Sequence, residues 1–226
     1  MSADLSSHLD QVKGLLFDFD GPVCGVFHTY KASVVADDER TFLAGKGIEL
    51  PEPLASAPNP LKILAWIGDD SPLAAEADNY LCGLETLAVD GAAPTKGAAD
   101  ALVAAHQHVK TAIVSNNAGA AVEKYLSSRG LVGCVDAVVG RPHAWPSKMK
   151  PHPYSLELAA DFLGVSLADC ALVGDSVSDI EACKRAGVFP IGYAKTPQRG
   201  VELAEAGAAI VVDEMSELAD YYGGRR

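Results

Sequence analysis

The 226-residue sequence contains no apolar stretch of the ~20 residues that a membrane-spanning helix needs. Its start, Met1 to Gln11, is polar and lacks the basic residues and apolar run of a secretory leader, so none is expected. No Lys/Arg block offsets a formal net charge of -12. Such a field repels nucleic acid and anionic membrane surfaces, and neither is expected as a partner. There is no C-x-x-C pair. The five cysteines, Cys24, Cys82, Cys134, Cys170 and Cys183, are odd in number and scattered. They read as small buried apolar residues in a reducing cytoplasm rather than as a disulfide framework. Repeats at a fixed period and low-complexity tracts are absent too, which excludes solenoids and disordered arrays.

What is present is an ordinary globular composition, 49% apolar and 21% charged, on a chain long enough for one substantial core with a smaller appendage. From about Ala92 onward short apolar runs alternate with helical stretches. Strands are expected at Lys110–Val114, Val135–Val139, Ala171–Val173, Phe189–Tyr193 and Ala209–Val212, and helices at Ala118–Arg129, Pro153–Leu163 and Ser176–Ala186. Gly130, Gly164 and Gly187 stop those helices in the manner of left-handed caps. Alternation of this kind predicts a parallel sheet covered on both faces. The apolar Val12–Phe19 adds a first strand. Residues 24–89 differ: they show no convincing strand but helical stretches at Thr29–Ala44, Leu61–Ile67 and Pro72–Ala88, with Ser71-Pro72 as a helix start. The expected organisation is an α/β core formed by residues 1–23 and 90–226, with a helical domain of residues 24–89 inserted after the first strand. The chain crosses between them near Pro22–Val26 and Val89–Pro94.

Four short motifs fall where expected strands end, the side of an open parallel sheet on which ligands bind. Asp18-Phe19-Asp20-Gly21 carries two carboxylates at i and i+2. On an extended chain they share a face; if the chain turns at Gly21 they part. One can attack while the other handles a proton. Ser115-Asn116-Asn117 offers a hydroxyl and backbone N–H groups just before a helix, suited to an anion or simply to capping. Lys150 precedes Pro151, which favours extended backbone for it, and a compact ammonium there can meet phosphate and carboxylate together. Asp175 lies in a strand-to-helix turn with Asp179 one helical turn on, and carboxylates are the oxygen ligands Mg²⁺ prefers.

Taken in order, Asp18/Asp20, Ser115, Lys150 and Asp175/Asp179 resemble the four motifs of the haloacid dehalogenase superfamily, in its phosphoglycolate phosphatase-like branch. The resemblance implies a Rossmann-like core with a helical cap and a phosphatase working on a small phosphorylated metabolite through an aspartyl-phosphate. In that scheme Asp18 is the nucleophile and Asp20 the general acid/base. Ser115, Asn116 and Lys150 hold the phosphoryl group. Asp18, the backbone carbonyl of Asp20, and Asp175 hold Mg²⁺, with Asp179 in support. Pro22 stands where threonine is commoner. Electrostatics give the reason for the cation: one like-charge pair at ~4 Å costs roughly 4 kcal/mol at an effective dielectric near 20, and the acidic set multiplies that cost.

Other readings stay open on the sequence. A sugar-phosphate mutase needs a cap residue gating Asp20, for which His28 is a loose candidate. A phosphonate hydrolase needs a cap lysine, Lys31 or Lys62. A catalytically inactive binding protein would show eroded motifs, which are intact here. Tyr30, Lys31 and Arg40 are further candidates for the substrate face of the cap, and Arg141, His143 and Trp145 for the border of the site. Cys24 sits near the nucleophile without an assigned role, and His106 and His108 read as structural.

Overall fold

The computed structural model describes residues 3–225. Met1 and Ser2, on which the leader expectation partly rests, lie outside the described residues. The strands are β1 (Gly14–Phe17), β2 (Cys24–Gly25), β3 (Ala93–Pro94), β4 (Lys110–Val114), β5 (Ala137–Val139), β6 (Cys170–Gly174), β7 (Phe189–Tyr193) and β8 (Ile210–Val212). The helices are α1 (Ala3–Leu9), α2 (Ala32–Gly45), α3 (Pro60–Ile67), α4 (Pro72–Ala88), α5 (Ala98–His106), α6 (Gly119–Ser128), α7 (Tyr154–Leu163), α8 (Val177–Ala186), α9 (Pro197–Ala206) and α10 (Ser216–Gly223). None of them is long and apolar enough to cross a membrane.

Six strands form one parallel sheet in the order β5-β4-β1-β6-β7-β8. β1 reads Gly-Leu-Leu-Phe and is wholly buried, as a central strand covered on both faces must be. Its side chains alternate. Leu15 and Phe17 join Ile113, Val173 and Ile191 under α5, α6 and α10. Leu16 joins Ala112, Val114 and Leu172 under α7 and α8. Each such side chain contributes about 1.5–3 kcal/mol by leaving water.

Between β2 and β3 the chain is helical. Ile63 and Leu64 of α3 meet Val35, Ala36 and Leu43 of α2 and Ala77, Leu81 and Leu84 of α4, giving this region apolar clusters of its own. Both proline starts are capped from the preceding side chain: Asn59 Oδ1 accepts from Leu61 N, and Ser71 Oγ accepts from Ala74 N. The expectation of no strand in this region is corrected at its edge. Cys24–Gly25 pairs antiparallel with Ala93–Pro94, at the two expected crossings. A two-residue strand has no periodicity from which to be recognised.

β1 is hydrogen-bonded to β4 on one side and β6 on the other, so the connections run away from it in both directions. A crevice therefore opens at the carboxyl ends of these three strands. The register sets its floor: Phe17 is level with Ile113 of β4 and with Val173 of β6. Asp18, Ser115 and Asp175 all follow within two residues of that level.

Candidate active site

β1 ends at Phe17, and the chain turns at once: Cys24 N and Val23 N donate back to Phe19 O, and Gly21 N donates to Cys24 O. The two carboxylates of the first motif therefore part. Asp18 is buried, and its Oδ1 accepts from Phe19 N at 2.8 Å and from Lys150 Nζ at 2.8 Å. Oδ2 has no partner among the described residues, so one oxygen is anchored and the other is free. Asp20 is half-buried, and its Oδ1 accepts from Val26 N at 2.8 Å. The Asp20 backbone N–H and carbonyl likewise have no partner among the described residues.

Gly21 is required at the turn. Its φ is +121°, and a Cβ there would lie 2.2 Å from Asp175 Oδ2. Gly174, at the end of β6, approaches as closely: a Cβ would lie 2.4 Å from Asp179 Cβ. Both glycines clear space for the acidic residues around Asp18.

Lys150 comes from the loop between β5 and α7, immediately before a cis Lys150–Pro151 peptide. Asn116 clamps it: Lys150 N donates to Asn116 Oδ1 at 2.9 Å, and Asn116 Nδ2 donates to Lys150 O at 3.0 Å. The ammonium is buried and meets Asp18 Oδ1, Val114 O at 2.9 Å and Asp179 Oδ1 at 2.6 Å. The carboxamide of Asn116 is thus spent on the lysine, which leaves its backbone N–H, without a partner among the described residues, as the group it can offer an anion. Ser115 Oγ accepts from Asn117 N at 3.0 Å and donates to Asn117 Oδ1 at 3.2 Å.

Ser176 caps α8 together with Asp179: Asp179 N donates to Ser176 Oγ, and Ser176 N donates to Asp179 Oδ2. This leaves Asp175 with no hydrogen bond among the described residues. Asp18, Asp175 and Asp179 each bring a carboxylate oxygen to within 4.8 Å of the others. The Asp20 side chain is not in that group.

The electrostatics follow from burial. Asp18 is held well above the usual carboxylate range, first by burial and then by Asp179 and Asp175, with Lys150 opposing. Burial, reinforced by Asp179 and Asp20, raises Asp175 to about 7. Asp20 is raised by burial against the opposing Val26 N–H. For Lys150 burial works against the charge, but Asp179 and Asp18 outweigh it and push the ammonium up. Three clustered acids with no hydrogen-bonded neighbour for Asp175 make a donor set of hard oxygens.

A cavity of about 330 Å³ is lined by these residues. From the helical region it is closed by Phe27, Ala32, Asn59, Pro60 and Leu61. None of the expected cap residues lines it. Tyr30 donates to Asp38, Lys31 Nζ to His28 O, and Arg40 to Ala57 O and Asp37. His28 and Lys62 are exposed and lie outside the lining. The lining residues of the helical region gave one signal in sequence, the Asn59-Pro60 helix start, hidden within a proline-rich link.

The family model of haloacid dehalogenase-like hydrolases matches residues 12–187. The chain belongs to that family. The phosphoglycolate phosphatase of Rhodospirillum rubrum is 29% identical over 160 residues, a match covering 69% of this chain and 64% of that protein. The chain thus spans less than two thirds of that relative. The phosphoglycolate phosphatase of Pectobacterium atrosepticum is 24% identical over 96% of this chain and 95% of its own. CbbY of Rhodobacter sphaeroides, solved in complex with phosphate, shares the fold with a TM-score of 0.66 at 19% identity, covering 92% of this chain and 96% of that one. In this haloacid dehalogenase-like hydrolase the four motifs therefore stand on the family's fold, around one crevice.

Sequence reasoning missed a second polar cluster, behind the cavity. Arg141, expected at the border of the site, is buried. Its Nε and Nη2 donate to Asp78 Oδ1 at 2.9 and 2.7 Å, and its Nη1 donates to both oxygens of Glu85 and to Asn116 O. Glu85, on α4, also accepts from Asn117 Nδ2 at 3.0 Å and from Ala118 N at 2.9 Å. Hydrogen bonds thus run from α4 through Arg141 and Asn117 to Ser115. Neighbouring residues of the same loop hold the helical region too: His143 pairs with Asn79, and Ser147 donates to Asp69. Trp145 is exposed, with Lys148 over its ring.

Glu39 of α2 completes this cluster as a third carboxylate against one guanidinium. It is fully buried, and neither of its oxygens has a hydrogen-bond partner among the described residues. Burial pushes it up from 4.5 to about 8, with Arg141 opposing. Its folded value exceeds its unfolded one, so the fold favours the proton, and stability falls as pH rises from 4.5 towards 8. Glu39→Gln should therefore be more stable than wild type at pH 7 by about 3 kcal/mol. Guanidinium unfolding midpoints across pH check this. The gap should close at the acidic end of the range, and a variant less stable at neutral pH would contradict the assignment.

Proposed function

We propose that the chain is a Mg²⁺-dependent phosphatase of a small phosphorylated metabolite in the cytoplasm, acting through an aspartyl-phosphate on Asp18. In this reading residues 24–89 form the cap domain, and residues 1–23 with 90–226 form the catalytic core. The observation that carries the proposal is the asymmetry of Asp18. Oδ1 is fixed by Phe19 N and Lys150 Nζ, and Oδ2 is free to attack.

The residues fit a divalent cation. Asp18, Asp175 and Asp179 supply carboxylate oxygens, and the unpartnered Asp20 carbonyl is a fourth hard donor. Bound there, Mg²⁺ supplies charge neutralisation for an incoming phosphoryl group.

In the first half-reaction Asp18 Oδ2 attacks phosphorus, the bond to the ester oxygen breaks, and Asp20 gives its proton to the departing alkoxide. The raised pKa of Asp20 suits that acid role. In the second half Asp20 takes a proton from water as the water oxygen attacks phosphorus. The acyl-phosphate bond breaks, the Asp18 carboxylate returns, and inorganic phosphate leaves. Lys150, with the N–H groups of Asp20 and Asn116, balances charge on the phosphoryl oxygens throughout.

The mutase reading lacks a gate on the cavity wall because His28 lies outside it, and the phosphonate hydrolase reading lacks its lysine because Lys31 and Lys62 do. The test is phosphate release from a panel of phosphorylated metabolites with Mg²⁺. Release should stop on chelation with EDTA and return with added Mg²⁺. Folded protein that releases no phosphate from any of them, or is indifferent to EDTA, would refute the proposal.

A further inference from the structure

Resting on the phosphatase reading, we infer that the alcohol released is small and uncharged, so that the substrates are monophosphate esters whose phosphoryl group is their only anionic group.

Among the described residues the cavity has one cation in its lining, Lys150. Lys150 Nζ already donates to Asp18 Oδ1 and Val114 O and is ion-paired with Asp179 Oδ1 at 2.6 Å, so its charge is spent inside the site rather than on a carboxylate or a second phosphate of the leaving group. The other polar side chains of the floor are committed as well. The Asn116 carboxamide holds the Lys150 backbone at both ends, Asn117 is shared between Ser115 and Glu85, and the Ser176 and Ser178 hydroxyls pair with each other.

The cap wall is apolar at Phe27, Ala32, Pro60 and Leu61. It adds one neutral group, Asn59, whose Oδ1 caps α3 and whose Nδ2 remains a donor for a hydroxyl or carbonyl oxygen. Other cations lie outside the lining: Lys31 is on His28 O, Arg40 on Ala57 O and Arg199 on Glu202, while Lys195, exposed over the Tyr193 ring, already opposes the charge of Asp20 and, together with Arg199, that of Asp175 from solvent. Four aspartates line the site against that one lysine. With Asp20 carrying the proton it donates, a divalent cation and Lys150 together balance the other three, so the phosphoryl group enters a site with no positive charge to spare. A further anion on the leaving group would be repelled with nothing opposite it. The volume, about 330 Å³, is at the low end of ligand pockets and suits a phosphoryl group with a short alcohol.

This separates the chain from relatives named for phosphoglycolate, whose alcohol part carries a carboxylate. The test compares kcat/KM for matched esters with Mg²⁺: 2-hydroxyethyl phosphate against 2-phosphoglycolate, and glycerol 3-phosphate against 3-phosphoglycerate. p-Nitrophenyl phosphate is the control for phosphatase activity itself. The neutral ester of each pair should be preferred by about tenfold or more. Leu61→Lys, which places a cation on the cap wall, should shift that ratio by about tenfold towards the acids. Equal rates or a preference for the acids, with p-nitrophenyl phosphate hydrolysed, would overturn this inference alone. So would hydrolysis of p-nitrophenyl phosphate with neither neutral ester turned over. Failure on every ester including the control would instead remove the phosphatase reading, and the inference with it.

Discussion

Asp18→Asn should lower kcat by at least about a thousandfold, with no comparable loss of folding stability. The amide keeps the shape of the carboxylate but gives up the charge and lone-pair strength needed to attack phosphorus. The neighbours decide the stability side. Asp18 is buried beside Asp179 and Asp175, and these together hold its carboxyl well above the usual range. In the metal-free protein the ionised form is therefore disfavoured by the fold. A neutral side chain removes that repulsion while costing Lys150 one of its two anionic partners, and Asp179 at 2.6 Å retains the ammonium. The melting temperature of the variant should stay within a few degrees of wild type. Steady-state assays together with thermal melts check both halves, and a folded variant with wild-type turnover would end the Asp18 mechanism.

Arg141→Met should be the most destabilising single change outside the sheet, by about 3–5 kcal/mol, or roughly 6–20 °C in melting temperature for a chain of this size. The arginine side chain is 1% exposed, between Asp78 at 6% and Glu85 at 0%. Burial works against the guanidinium, but Glu85 and Asp78 outweigh it and hold it charged. Removing it leaves two buried carboxylates without a counter-charge beside Glu39, whose carboxyl already has no hydrogen-bond partner among the described residues. The methionine fills much of the volume, so the loss reads the charge and not a cavity. Adding Glu85→Gln and Asp78→Asn to Arg141→Met should recover part of the loss, because the orphaned charges go with the arginine. A single variant within about 0.5 kcal/mol of wild type would show that the cluster contributes nothing net.

The parallel core was legible because strand and helix signals there are strong and local. Phe189–Tyr193 and Lys110–Val114 coincide with β7 and β4, and Ser71-Pro72 marks the start of α4. Val12–Phe19 shortened to Gly14–Phe17 because the chain must turn directly after Phe17 to form the acidic loop. The helix α9 was overlooked although Thr196-Pro197 and Gly207 bracket it with a cap and a stop. The chemistry was legible for a related reason. Each motif sits one or two residues past a strand, and the parallel register brings those positions together.

What sequence could not supply was contact across elements. Tyr30, Lys31 and Arg40 were attractive as polar groups early in the helical region, yet each is satisfied locally, and the cavity is closed by apolar residues and Asn59. The buried cluster left one trace. Asp78 and Glu85 fall seven residues apart on α4, on the same face as the buried Ala74, Ala77, Leu81 and Ala88. Acids on an apolar face ask for a partner, but only the fold shows that the partner is Arg141, from a loop more than fifty residues on.

The most direct measurement is an acid quench during turnover of p-nitrophenyl phosphate with Mg²⁺, followed by peptide mapping of the protein. The aspartyl-phosphate mechanism predicts a phosphoryl group on the peptide containing Asp18, absent from Asp18→Asn under the same conditions. A phosphoryl group on another residue, or on none while phosphate release proceeds with a burst, would contradict it.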